Sequence, residues 1–128
     1  MIAIEESLAS FDGADMMLRR WADGLAPDPD LMVWEWADLH RFLSPRGANE
    51  AGPWRTIRTP YLREPMSSLS PSSPYQRIVF MKGAQLGGTE CGNNWIGYII
   101  HHAPGPAMMV NPTVEMARRS SQQRIEPM

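Results

Sequence analysis

Cysteine is nearly absent from this 128-residue chain. Cys91 stands alone, so no internal disulfide can form, and the expected compartment is a reducing cytoplasm. Long apolar runs are missing as well. The longest, Trp95 to Ile100, falls far short of the roughly 18–20 residues that cross a bilayer, which excludes a transmembrane helix. Met1 to Glu6 has neither the basic start nor the apolar core of a secretory signal, so secretion is not expected. Lysine is as scarce as cysteine. Eleven of the twelve basic residues are Arg, and the twelfth is Lys82. An ammonium is a compact point charge that the planar guanidinium fork does not reproduce at a crowded phosphate, so a lone lysine among arginines marks its position.

What is present points to one small folded domain. The chain is 43% hydrophobic and 20% charged, too apolar to remain disordered throughout. Its net charge of −2 hides an asymmetry: residues 1–50 carry ten acids and four Arg, whereas residues 51–128 carry four acids and eight bases. The second part suits a phosphate-bearing ligand, though its excess is smaller than the basic stripe of a dedicated DNA-binding domain. Ten Met and five Trp imply an adaptable core with incomplete interfaces, and such residues also favour partner docking.

Along the chain, Leu8, Phe11, Leu18, Trp21 and Leu25 fall near one helical face, weakened by Gly13. Pro27 and Pro29 end that helix in a linker. Asp30 is placed to cap a second helix from about Leu31 to Phe42, with Val33, Trp36, Ala37 and Leu39 inward and Glu35, Asp38 and Arg41 outward. Residues 44–53 read as turn-rich, and residues 66–74 as a low-complexity loop of Ser and Pro. Residues 77–81 and 107–111 are short continuous apolar runs of the kind that make buried parallel strands. Between them Cys91, Trp95, Ile96, Ile99, Ile100 and Ala103 form a helical stripe, and Pro112 opens a last helix. The predicted order of strand, glycine-rich turn, helix, strand and helix is a right-handed βαβ unit of an α/β fold, preceded by N-terminal helices.

The chemistry lies in the turn. Lys82, Gly83, Ala84, Gln85, Leu86, Gly87, Gly88 and Thr89 follow a predicted strand and precede a helix, the context of a phosphate-binding loop. Gly87 and Thr89 match the usual pattern, but Lys82 stands at the first glycine and Gly88 at the usual lysine. The physical requirement is still met: successive N–H groups at a helix N-terminus make an anion nest, Thr89 offers a hydroxyl to Mg²⁺, and Lys82 is able to reach across the loop mouth. An ordinary glycine-rich turn with a solvated Lys82 has the same spacing.

Several ordered blocks carry a resemblance: Trp34 to Asp38, Leu43 to Pro45, Gly52 to Thr56, Pro60 to Glu64, Val79 to Glu90 and Asn111 to Ala117. Over roughly residues 31–128 the chain resembles the start of the lambda-type phage terminase large subunit, the GpA family, which itself places its Walker A lysine at the loop's first position. The resemblance implies a DNA-packaging motor with an N-terminal P-loop ATPase and a C-terminal metal-dependent nuclease. It implies that Lys82 to Thr89 bind ATP and Mg²⁺, and that Tyr61 packs on adenine. Leu62 stands where Gln is frequent, which weakens the case for ATP over GTP. Ala84 and Gln85 stand where some relatives carry an Arg finger. The implied partners are double-stranded DNA, a small terminase subunit and the portal protein, in the host cytoplasm during phage assembly.

No acidic Walker B residue at the end of a buried strand follows residue 90. The expectation is therefore an incomplete P-loop NTPase: an acidic arm over 1–30, then the N-terminal part of the ATPase domain over 31–128, unable to hydrolyse ATP alone. Competing expectations are a non-catalytic module that binds other packaging proteins, and a fragment of another P-loop helicase or translocase. Arg118 and Arg119 are conceivable phosphate or DNA contacts, or plain solvated charges. His40, His101, His102 and Cys91 lack the spacing of a metal site, and the histidines read as helix-end residues.

Overall fold

A computed structural model describes residues 13–45 and 50–128. The chain forms helix α1 (Ala14–Leu25), helix α2 (Val33–His40), strands β1 (Phe42–Leu43) and β2 (Gly52–Pro53), 3₁₀ turns Thr56–Arg58 and Pro60–Leu62, helix α3 (Arg63–Ser68), helix α4 (Gly88–His101), helix α5 (Val114–Ser120) and a π-helical turn, Ser121–Ile125. It is a mixed architecture of helices and one small sheet. That sheet is antiparallel, pairing Phe42 with Pro53 and Leu43 with Gly52.

The core forms where α2, α3 and α4 meet. Val33, Trp36 and Ala37 pack with Trp54, Leu62, Met66, Cys91 and Tyr98. The contact between α2 and α4 depends on Gly97, because a Cβ there would lie 2.6 Å from Cη2 and 3.1 Å from Cζ3 of Trp36. Trp36 also donates its indole N–H to His101 Nδ1 at 2.9 Å, and Tyr98 donates its hydroxyl to Leu31 O at 2.9 Å. The Trp36 and Tyr98 polar groups are thus paired across the same interface that buries their rings.

Local chemistry revises several expectations. Asp30 does not cap α2; Met32 holds the cap position, and its N–H donates to Glu35 Oε2 at 2.9 Å. Leu39 is exposed and Arg41 is buried, the reverse of the predicted faces, because α2 stops at His40 and Arg41 turns inward to meet Glu90. The serine-rich stretch is not all loop: Met66 lies in α3 and is fully buried, and Ser70 Oγ accepts the Val33 N–H at 2.9 Å. Pro112 lies just before α5 rather than in its first turn, and Thr113 caps the helix, its Oγ1 accepting the Met116 N–H at 3.2 Å. The stripe on α4 is shifted too: Cys91, Asn93, Asn94, Gly97 and Tyr98 are buried, whereas Trp95 and Ile100 are exposed. Most of the described methionines are exposed, so they are surface rather than core.

The largest correction concerns the parallel strands. Residues 77–81 and 107–111 pair with no strand among the described residues. Strand structure needs a neighbour to satisfy its N–H and C=O groups, and neither segment has one. Their side chains consequently face solvent: Val79 is 85% exposed, Met81 95% and Met108 87%. Helix α1 also leaves Met17, Trp21 and Leu25 exposed, with Ala14 its one buried residue. The predicted start of that helix at Leu8 and Phe11 falls outside the described residues.

Candidate functional site

The glycine turn runs directly into α4. Gly87, at φ +74°, precedes the helix, and a Cβ there would meet Leu62 Cδ1 at 3.1 Å. Gln85, at φ +59°, is the one described non-glycine residue with positive φ. Left-handed residues inside a turn swing successive N–H groups toward one side, which is how anion-binding nests are built. No amide from Gly83 to Glu90 donates to a described residue; the ladder starts with Cys91 N–H to Gly87 O at 2.9 Å. The free donors sit at the positive end of the helix dipole, where negative charge is stabilised.

Lys82 doubles back over this turn. Its Nζ donates to Gly83 O at 3.4 Å. Its Cδ and Cε occupy the space that a Cβ on Gly88 would need, and Phe80 Cε1 lies 3.4 Å from the same point. The glycine at the usual lysine position is therefore where the displaced lysine's stem crosses. Lys82, Gly88 and Thr89 line one open cleft of about 940 Å³. Its other walls are largely apolar, from Trp95, Ile96 and Ile99 of α4 and from Met108 and Val110, with Asn93, Asn111, Ser120 and Ser121 adding polar groups. No carboxylate lines it among the described residues.

Gly83 to Gly87 form the turn itself and are not on that cleft wall. Tyr61 is not on it either. It sits half-exposed on the turn Pro60–Leu62, whose next residue, Leu62, is fully buried and reaches Gly87. The structure thus brings Lys82, Gly88 and Thr89 together on one cleft wall, whereas Tyr61 approaches the turn only through its chain neighbour Leu62. Arg118 and Arg119 lie exposed on α5. His40 and His101 do come together, with ring centroids 4.9 Å apart, where His101 serves Trp36 as an acceptor.

A second feature had no sequence signal. Glu90, the residue after Thr89, takes Arg41 Nη2 on Oε2 at 3.4 Å and Arg124 Nη1 on Oε1, and Asn93 Nδ2 also donates to Oε1 at 3.3 Å. Burial pulls the Arg41 guanidinium below its ordinary value, Glu90 opposes this through charge and hydrogen bond, and Arg124 adds a smaller lowering. Burial also pushes the Cys91 thiol up to about 11, leaving it protonated and inert at neutral pH. Tyr98 is raised by burial first and by the charge of Asp30 second.

A lysine-bearing glycine turn that opens a helix beside a cleft is an arrangement able to hold an anion at a helix N-terminus. The family model described as phage terminase large subunit gpA, ATPase domain, matches residues 48–128, and the chain belongs to that family. The matched span contains Tyr61 and the whole turn, while the blocks at Trp34 to Asp38 and Leu43 to Pro45 lie before it. No curated protein and no solved structure matches the chain. No helix among the described residues is long and apolar enough to cross a membrane. An ATPase domain implies nucleotide binding, usually with Mg²⁺. The donor set fits such an ion in one way: Thr89 supplies a single hydroxyl, no carboxylate lines the cleft among the described residues and Glu90 is engaged by two arginines, so phosphate oxygens and water would complete the shell.

Proposed function

We propose that this chain is an ATP-binding portion of a phage terminase large subunit, in which the turn from Lys82 to Thr89 acts as a P-loop. The observation that carries this reading is the path of Lys82 across Gly88 to the cleft that Thr89 lines. From there its ammonium neutralises the β- and γ-phosphates, and the amides of Gly83, Ala84, Gln85, Leu86, Gly87 and Gly88 receive phosphate oxygens. Thr89 ligates Mg²⁺ when the nucleotide carries it in. Tyr61 stacks on adenine, whereas Leu62, buried in the core, leaves base-edge selectivity to other groups.

Hydrolysis belongs to the whole protein, since the described cleft offers no acidic group to orient water. There, ATP turnover drives double-stranded DNA toward the portal protein in the host cytoplasm, and a nuclease domain cuts the concatemer. The segment over 1–30 is a docking arm for the small terminase subunit; the exposed Met17, Trp21 and Leu25 of α1 support that role. Residues 31–128 belong to the ATPase domain.

Titration of Mg-ATP into wild type and Lys82→Ala tests the proposal. Removing a charge-assisted contact costs about 1.5–3 kcal/mol, so the variant should bind roughly ten- to a hundred-fold more weakly. Equal binding by both chains, or none by either, would reject the assignment.

A further inference from the structure

The Glu90 cluster joins parts of the chain that the nucleotide reading does not connect. Glu90 occupies the first turn of α4, directly after Thr89. Arg41 comes from the end of α2 and also donates from Nη1 to Phe42 O at 2.8 Å. Arg124 comes from the π-helical turn Ser121–Ile125. Side-chain exposure is 7% for Arg41 and 16% for Glu90, so their charges are largely withdrawn from water, while Arg124 at 37% keeps one side open. Buried charges that share one carboxylate are strongly interdependent.

The π-helical turn also borders the cleft. Ser121 and Ile125 line it together with Lys82, Gly88 and Thr89, while Arg124, between them in sequence, points to Glu90. An element in contact with the cleft on one side and with the helix start on the other will respond to any ligand that orders either. Single-turn π geometry inside a helix is frequently associated with such sites.

We propose that Glu90 and Arg124 are positioning residues that couple occupancy of the Lys82–Thr89 turn to the docking of the C-terminal helix, residues 114–125. The inference rests on the nucleotide reading above. Anchoring Glu90 holds the first turn of α4, and with it Thr89 and the neighbouring amides, in the orientation that receives phosphate. Linkage then requires the converse: bound nucleotide holds Glu90 in place and so strengthens the docking of Arg124.

The test uses the full 128-residue chain as wild type, Arg124→Ala and Arg124→Lys, with Mg-ATP as probe. Arg124→Ala leaves Glu90 paired with Arg41, so the fold is retained, and thermal melting verifies this. Hydrogen exchange should show that Mg-ATP protects the amides of 121–125 in wild type but not in Arg124→Ala. That variant should bind Mg-ATP roughly tenfold more weakly, within the usual range for coupled sites, with partial recovery in Arg124→Lys. Unchanged affinity in Arg124→Ala, or wild-type protection that stops short of residue 121, would overturn the coupling while leaving the nucleotide site intact. Absence of Mg-ATP binding by wild type would overturn both.

Discussion

Replacing Gly88 by Ala separates a phosphate loop from an ordinary glycine turn, because the two readings demand opposite results. The backbone at Gly88 is helical, so an alanine is conformationally allowed and gains up to about 1 kcal/mol of helix propensity. The added methyl would overlap Cδ and Cε of Lys82 and stand 3.4 Å from Phe80 Cε1, an ordinary contact. Nothing rigid resists it. The flexible lysine arm yields, and the protein should be as stable as wild type or slightly more so. The ammonium, however, leaves the mouth of the turn. Loss of its charge-assisted contact is worth about 1.5–3 kcal/mol, or roughly ten- to a hundred-fold in Mg-ATP affinity. Urea midpoints and calorimetric titration read the two quantities side by side. Wild-type affinity in Gly88→Ala would show that the arm's path over this glycine has no bearing on phosphate binding.

Other substitutions probe the packing and the base contact. Gly97→Ala brings a Cβ to 2.6 Å from the buried Trp36 ring, so overpacking of about 1–3 kcal/mol outweighs the helix gain; a urea midpoint at or above wild type would contradict this. Tyr61→Ala should weaken Mg-ATP by the worth of one stacked base, about 1–3 kcal/mol, while Tyr61→Phe and the binding of inorganic tripolyphosphate stay unchanged in calorimetry. For Cys91 the fold favours the neutral thiol, raised from 9.0 to about 11. That stabilisation is full below pH 9 and is lost as pH climbs toward 11. Wild type should therefore lose more stability than Cys91→Ala between pH 8 and about 10.5, and iodoacetamide should label the native thiol at pH 8 far more slowly than the unfolded one.

What could be read in advance was local. The glycine turn, the helix it opens and the odd position of Lys82 are adjacent in sequence, and the turn's geometry follows from residues within a few positions of one another. Only composition suggests the parallel strands. Residues 77–81 and 107–111 have the right side chains, but a strand is a relation between segments, and no partner lies among the described residues. The same limit hid Arg41. Its helical face predicts solvent, whereas its partner Glu90 lies 49 positions on, and no periodicity within α2 encodes that meeting. Met66 was lost in a serine-rich stretch whose composition suggests a loop, although its burial between α2 and α4 makes the stretch part of the core. The glycine at position 97 shows the reverse: in sequence it is a helix-weakening residue, and only the Trp36 ring explains its use.

The proposed P-loop requires that the amides of residues 83–88 face the nucleotide's phosphates beside the Lys82 ammonium. Titrating ¹⁵N-labelled chain with Mg-ATP follows those amides directly. The account predicts that their resonances move together, saturating at one dissociation constant that Lys82→Ala weakens. Resonances of 83–88 that stay in place while Mg-ATP binds elsewhere would contradict it.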